Sequence, residues 1–344
     1  VASALDLGCG CGILALHLSR SAARVVATDI SARALRFTAL NAALNGASGI
    51  ETRRGSLFEP VQGEVFERIA ANPPFVITPR VDGVPGYEYR DGGLEGDALM
   101  AAVVGTVGDH LTPGGVATLL GNWETRDGAS GLDRARGWVD AAPVRLDAWV
   151  IERERLDPAR YAELWVRDGG TRPGSTEYDA LLGAWLDDFE RRGVSGIGMG
   201  WVVLRRPGGA VTLARYEKIG HAPGRVAGLI SHALAAHDRL EAIGDDGLAA
   251  STLLVASDVT EARHHLPGEE GPSVLELRQG GGLARTVPVD PALAAVVGAC
   301  DGELPVGALI DAVAQLLEVG PEELRGDLLP RLRELVFTGF LSFS

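Results

Sequence analysis

The run Ala4-Leu5-Asp6-Leu7-Gly8-Cys9-Gly10-Cys11-Gly12 constrains this chain more than any other segment. A short apolar stretch drops into three glycines at alternate positions, and Ile13 to Arg20 then carries helical periodicity. Small residues at a strand-to-helix turn let a ligand approach the backbone closely and leave helix-end amides to bind it. Alone, the turn is compatible with a dinucleotide site or with a tight turn that binds nothing. Two details separate it from a dinucleotide site. The spacing is Gly-x-Gly-x-Gly, and Asp6 stands two residues before the first glycine, where an acid suits an amino group and repels a pyrophosphate. A buried strand so close to Val1, which is not an initiator Met, leads us to expect a preceding segment.

From Ile13 onward the chain alternates helix with strand, the signature of an α/β fold with a mostly parallel sheet. Expected strands are 24–29, 50–54, 66–71, 116–120, 146–153 and 197–206, with Ser31 capping a helix that runs to Leu44. Residues 81–96, rich in Gly and Asp, read as a loop. A polar, partly helical insertion of about 40 residues precedes Ile197. Arg206-Pro207-Gly208-Gly209 is the strongest boundary signal and divides the chain into 1–207 and 208–344. Beyond it, 273–278 and 283–289 flank Gln279-Gly280-Gly281-Gly282 as a hairpin. Three helices (291–299, 306–317, 321–337) and a short strand (340–343) suggest a winged-helix-type α+β module.

Two further acceptor-rich positions lie on strand ends. Asp29 ends the second strand, 23 residues after Asp6, where a carboxylate would overhang the same crevice and accept bonds from ribose hydroxyls; a cap of the following helix is the lesser alternative. Ser56-Leu57-Phe58 follows the third strand, where an adenine ring would be held. Asn72-Pro73-Pro74-Phe75 is the most informative tetrapeptide. Two prolines remove two N–H donors, so the strand end presents oxygens without competition. The Asn72 side-chain oxygen and the Pro73 carbonyl can accept both hydrogens of a planar NH₂ group, which pulls the nitrogen lone pair out of conjugation. Phe75 offers a face for a flat amide or base.

Asp6 to Gly12, Asp29 and Asn72 to Phe75 together resemble motif I, the ribose acid and motif IV of class I S-adenosylmethionine-dependent methyltransferases. More narrowly they resemble the branch with an Asn/Asp-Pro-Pro-aromatic motif: HemK-type protein-glutamine, rRNA guanine-N2 and adenine-N6 methyltransferases. The resemblance spans about 60% of the chain, residues 2–207. It implies a Rossmann-like sheet of seven strands, the last antiparallel. It implies S-adenosylmethionine as cofactor and S-adenosylhomocysteine as product. Gly8, Cys9, Gly10 and Gly12 would cradle the methionine part, with Asp6 near its amino group. Asp29 and Ile30 would hold the ribose side. Ser56, where many members have Asp, and Leu57 would meet the adenine. Asn72 and Pro73 would bind the target nitrogen, and Pro74 and Phe75 would line the substrate. Methyl transfer would be direct, driven by positioning and desolvation.

Composition narrows the partners. The chain has 344 residues, 32 basic against 46 acidic side chains, and a net charge of −14. Residues 1–207 carry 22 basic and 27 acidic groups, and 208–344 carry 10 and 19, so the split is −5 and −9. A DNA-reading module should be basic on its recognition face, so we expect the C-terminal module to serve protein contact or packing. Three cysteines make no disulfide framework, and no apolar stretch approaches a membrane span, which points to the cytoplasm. Zinc needs four spaced ligands, and the adjacent pair His264-His265 supplies none of that pattern, so no metal is expected. Tyr87 to Asp97 resembles the later, Gly-rich acidic run of HemK-like members; it would close over a substrate, with Arg90 reaching a carboxylate or phosphate. We therefore expect a protein glutamine from the translation machinery as target. An exocyclic base amine of RNA or DNA, and a non-catalytic cofactor-binding protein, are the alternatives.

Overall fold

The architecture comes from a computed structural model in which residues 1–87, 89–220, 226 and 228–344 are described. Short, mostly apolar runs suit strands covered on both faces. They form β1 (Ser3–Leu7), then α1 (Ile13–Leu18), β2 (Arg24–Asp29), α2 (Ala32–Leu44), β3 (Ile50–Arg54) and β4 (Phe66–Ala71). The chain continues as α3 (Ala98–Val107), β5 (Leu111–Arg126), α4 (Gly131–Asp140), β6 (Asp147–Leu156), α5 (Pro158–Asp168), α6 (Thr176–Arg191), β7 (Val194–Arg205) and β8 (Ala214–Lys218). Side-chain caps from Ser130, Asp157 and Ser175 start α4, α5 and α6. Ser31 stands before α2 without a side-chain capping bond, contrary to expectation; its own N–H donates to Asp29 Oδ1 at 2.8 Å.

The strand order is β3-β2-β1-β4-β5-β7-β6-β8. β7 runs antiparallel to both β5 and β6, and the other described pairings are parallel. The fold is thus the expected α/β sheet with an antiparallel seventh strand, plus an unexpected eighth at its edge. The eighth strand has a consequence for the boundary. The turn at Pro207 links β7 to β8 inside one unit, and the compact unit runs from Val1 to Lys218. Its main core joins Leu5, Val26, Phe66, Ile69, Leu119 and Trp123, all buried. A second cluster, around Tyr161, Trp185 and Phe189, packs the insertion helices α5 and α6 against Val76 and Ile77.

The second unit spans Ile219 to Ser344. It contains α7 (Leu229–Ala249), β9 (Thr252–Val255), β10 (Val259–His264), β11 (Val274–Gln279), β12 (Thr286–Val289), α8 (Pro291–Gly298), β13 (Asp301–Pro305), α9 (Val306–Leu317), α10 (Pro321–Phe337) and β14 (Leu341–Phe343). The expected hairpin, three helices and terminal strand are present. The hairpin belongs to a three-stranded antiparallel sheet, β10-β11-β12, and β14 joins a second one, β13-β9-β14. A core of its own includes Leu248, Val296, Ile310, Leu328, Leu332 and Phe340. A cavity of about 540 Å³ opens between α7, α10 and β14, with Arg239 stacked over Phe343 at its edge. Among the described residues, no helix is long and apolar enough to cross a membrane.

Candidate active site

In an open α/β sheet the ligand crevice lies beyond the carboxyl ends of the strands, where the chain order reverses. Here the reversal is at β1, which pairs Leu7 with Thr28 of β2 on one side and with Ala71 of β4 on the other. One residue further along, Gly8, Asp29 and Asn72 come together. The three sequence motifs therefore converge on one edge.

Sterics dictate the glycine turn. Gly12 has φ +83°, and a Cβ there would stand 2.8 Å from the Thr38 methyl group. Thr38 donates its hydroxyl to the Gly10 carbonyl at 3.1 Å, and Asn41 Nδ2 donates to the Cys11 carbonyl at 2.8 Å, so α2 holds the turn from behind. Gly8 has φ +73°, and a Cβ on it would lie 3.8 Å from Pro73 Cα. The glycine turn and the Asn-Pro-Pro-Phe strand end thus abut. Four amides of the turn already have partners. Those of Gly8 and Cys9 donate to the Thr28 carbonyl, that of Gly12 to the Cys9 carbonyl, and that of Gly10 to Asp29 Oδ2 at 2.9 Å. Backbone donors that lack water seek partners, and the turn supplies its own. Cys9 is buried with Sγ 3.4 Å from Thr38 Oγ1, and burial pushes its thiol up to about 12. Its side chain is core, so only its backbone faces the crevice side.

Asp6 is fully buried. Its Oδ2 accepts the Ala15 amide at 2.8 Å, while Oδ1 has no partner among the described residues. Burial pushes the carboxyl up to about 7; the Ala15 amide pulls it down and Asp29 pushes it further up. A buried acid with an orphaned oxygen is costly until a donor or cation meets it. Asp29 uses one lone pair on each oxygen, for Gly10 and Ser31, and keeps the others available. Ile30 beside it is 53% exposed, an apolar surface open to a flat ring. Ser56 is exposed but its amide donates to Glu59 Oε2 at 3.2 Å, and Leu57 is half-buried with φ +46°.

Asn72 is exposed, Pro73 buried, and Pro74 and Phe75 half-buried. Phe75 packs against both core clusters of the unit and forms an antiparallel bridge with Asp91. The Val76 amide donates to the Arg90 carbonyl at 2.9 Å. Arg90 itself departs from expectation. It is 5% exposed, its guanidinium lies 4.2 Å from the Tyr87 ring centroid, and it donates to the Trp165 carbonyl (2.8 Å) and Asp168 Oδ2 (2.6 Å). Arg90 thus ties its stretch of the loop to α5 and is engaged within the fold, not projecting as expected. The physical reason is that an Arg amid Tyr87, Tyr89 and Trp165 is held by ring faces and a carboxylate, and does not project.

Two residues near the motif carry no sequence signal. Tyr161 of α5 is buried and accepts the Ile77 amide at 3.1 Å and Asn122 Nδ2 at 2.6 Å. Asn122 lies beyond Leu120, where the expected strand ends. A buried charged cluster is equally silent in the sequence: Asp97, Glu124 and Asp188 hold Arg134, Arg126 and Arg192, fixing the start of α3 to the ends of β5 and α6.

This sheet order, with an acid-flanked glycine turn beside an Asn-Pro-Pro-Phe strand end, is the arrangement that the resemblance to class I S-adenosylmethionine-dependent methyltransferases implies. The first unit's residues fit the cofactor: a buried carboxylate with an orphaned oxygen beneath the glycine turn, a second acid with lone pairs to spare, and an exposed isoleucine next to it. Residues 2–83 match the family described as Methyltransferase small domain, and residues 234–343 match a Domain of unknown function (DUF7782). The release factor glutamine methyltransferase of Xylella fastidiosa (strain Temecula1) is 34% identical over 149 residues, 41% of this chain and 54% of that protein. The ribosomal RNA small subunit methyltransferase C of Alcanivorax borkumensis is 30% identical over 120 residues, 35% of this chain and 32% of that protein. The solved structure of YcgJ from Bacillus subtilis aligns over 60% of this chain and 93% of that one, at 12% identity and a TM-score of 0.39. The chain spans about half the length of the release factor methyltransferase it matches.

Proposed function

We propose that this protein methylates a planar amide nitrogen, the side chain of a glutamine in a protein of the translation machinery. The observation that carries the reading is the closeness of the glycine turn to the acceptor motif: a Cβ added at Gly8 would lie 3.8 Å from Pro73 Cα. A methyl donor on the turn and an NH₂ group at Asn72 would then be neighbours.

When bound, S-adenosylmethionine supplies a methyl group on a sulfonium, already electrophilic. The unpartnered Oδ1 of Asp6 receives the ammonium end, and Asp29 accepts from the ribose hydroxyls with its remaining lone pairs. Gly8, Cys9, Gly10 and Gly12 form the floor, and Ile30, Ser56 and Leu57 border the adenine. The Asn72 side-chain oxygen and the Pro73 carbonyl take the two hydrogens of the target NH₂. Pro74 contributes shape and no donor, and Phe75 lies against the amide plane. Holding both hydrogens in those directions would draw the nitrogen lone pair out of conjugation with the carbonyl and aim it at the methyl group. The carbon–sulfur bond would break as the carbon–nitrogen bond forms, and the surplus N–H proton would leave to solvent by way of the Asn72 and Pro73 oxygens. Positioning and exclusion of water supply the rate enhancement, without a strong base.

Similarity to release factor glutamine methyltransferases supports the protein target. Similarity to an rRNA methyltransferase supports the second reading, an exocyclic base amine. Labelled cofactor added to a bacterial lysate, with and without nuclease, separates them. We expect label in protein that survives nuclease. Label lost with nuclease would move the target to RNA, and no label together with no cofactor binding by calorimetry would leave a non-catalytic protein.

A further inference from the structure

The exit of the acceptor motif is hung from a single helix. Residues 75–77 pair with 90–91 through the Phe75–Asp91 bridge and the bond from the Val76 amide to the Arg90 carbonyl. Both partners of that pair are then tied to α5. Arg90 donates to the Trp165 carbonyl and Asp168, and the Ile77 amide donates to the Tyr161 hydroxyl at 3.1 Å. Tyr161 is oriented in turn by Asn122, fully buried on β5, whose Nδ2 donates to the same phenol oxygen at 2.6 Å. Burial holds the phenol pKa above its ordinary value, so the group remains a neutral hydroxyl that accepts two N–H bonds.

The arrangement has more precision than packing needs. A ring as large as Tyr161 already fills the cluster with Trp165, Trp185 and Phe189. A phenylalanine would do that without requiring a buried Asn, whose Oδ1 is left without a partner among the described residues. Buried polar groups without full satisfaction cost stability, and such costs collect where geometry matters for function. Ile77 lies two residues beyond Phe75, so the phenol fixes the backbone on which the acceptor carbonyl and the aromatic face depend.

We propose that Tyr161, oriented by Asn122, is a positioning residue for methyl transfer: it sets the distance and direction of the Asn72–Phe75 acceptor relative to the glycine turn. The inference rests on the methyl-transfer reading and goes beyond it by placing control of the acceptor in the α5–α6 insertion.

The test is Tyr161→Phe in the full chain, with labelled S-adenosylmethionine and the lysate fraction that the wild-type protein labels. We expect the transfer rate at saturating cofactor to fall at least about tenfold, as loss of one aligned buried hydrogen bond permits. Cofactor affinity by calorimetry should stay within about twofold, because the glycine turn is untouched. An undiminished rate, or a rate and affinity that fall together, overturns the inference. Asn122→Ala leaves the phenol in place and should lower the rate in the same direction. The double variant should be no slower than Tyr161→Phe alone, and additive losses would separate the two residues and overturn their coupling. Should Tyr161→Phe not fold, Asn122→Ala decides: an unchanged rate is fatal to the proposal. Glu163→Gln, on the exposed side of α5, should change nothing. Wild-type protein that labels no fraction at all defeats the methyl-transfer reading instead, a result distinct from any of these.

Discussion

At the scale of single residues, Asp6 makes the sharpest statement. Its folded carboxyl titrates near 7 against 3.8 for the free group. The folded state therefore holds a proton that the unfolded chain releases between those values, so the empty protein loses stability as pH rises from about 4 to 7 and changes little above. A cofactor ammonium reverses the preference and binds the charged form. We expect cofactor affinity to rise with pH through about 7, and Asp6→Asn to flatten that rise. The same substitution should raise the melting temperature of the empty protein at pH 8, since it removes a buried charge while keeping an acceptor for Ala15. A melting temperature that falls, with affinity still rising with pH, would assign the titration to another group. Asn72 gives the complementary case. It is exposed and supports no core, so Asn72→Ala should leave cofactor affinity within about twofold and cut transfer by orders of magnitude. Equal losses of both would remove it from the acceptor role.

At the scale of elements, the bounds of β2 and β4 follow from the sequence because their apolar stretches end at residues that break the pattern, Asp29 and Asn72, while the polar edge strand β3 is marked mainly by the Gly55 that follows it. β5 is legible only in its first half. Gly121-Asn122-Trp123-Glu124 looks like a strand leaving the core, yet pairing with β7 carries it to Arg126. The polar residues there face buried partners on α5 and α6, a contact between segments far apart in sequence that no local pattern encodes. β8 is illegible for a related reason: Ala214–Lys218 is an edge strand of mixed polarity, recruited only because β6 offers it an open side. Arg90 misleads in the opposite sense. Among Gly, Asp and Glu it reads as a side chain extended toward a substrate, and only the fold brings Trp165 and Asp168 to it. That change of role yields a prediction for the loop. Arg90→Ala removes the half-exposed pair with Asp168 and the cation over the Tyr87 face, at a cost on the order of 1 kcal/mol. Limited proteolysis should then cut within 81–96 faster than in wild type, with cofactor affinity unchanged. Equal cutting rates would mean that Arg90 is not what pins the loop.

At the scale of the whole molecule, two cores divide the work of folding. Leu5, Phe66 and Trp123 anchor the first unit, while Leu248, Ile310 and Phe340 anchor the second. Every residue assigned to the cofactor and to the acceptor lies between Asp6 and Phe75, inside the first unit. A ligand that binds only one folded unit stabilises that unit by mass action, about 2.7 kcal/mol at a hundred times its dissociation constant. For a domain of this size that corresponds to roughly 5–10 °C in melting temperature. Calorimetry of the full chain should therefore show two transitions, and S-adenosylhomocysteine should raise one of them by that amount while leaving the other in place. Hydrogen exchange read at the same time should show the added protection in β1, β2 and β4 and none in α8, α9 or α10. A single transition that moves as one with ligand would mean that the two cores melt together, and protection appearing in α8–α10 would place part of the cofactor's effect in the second unit.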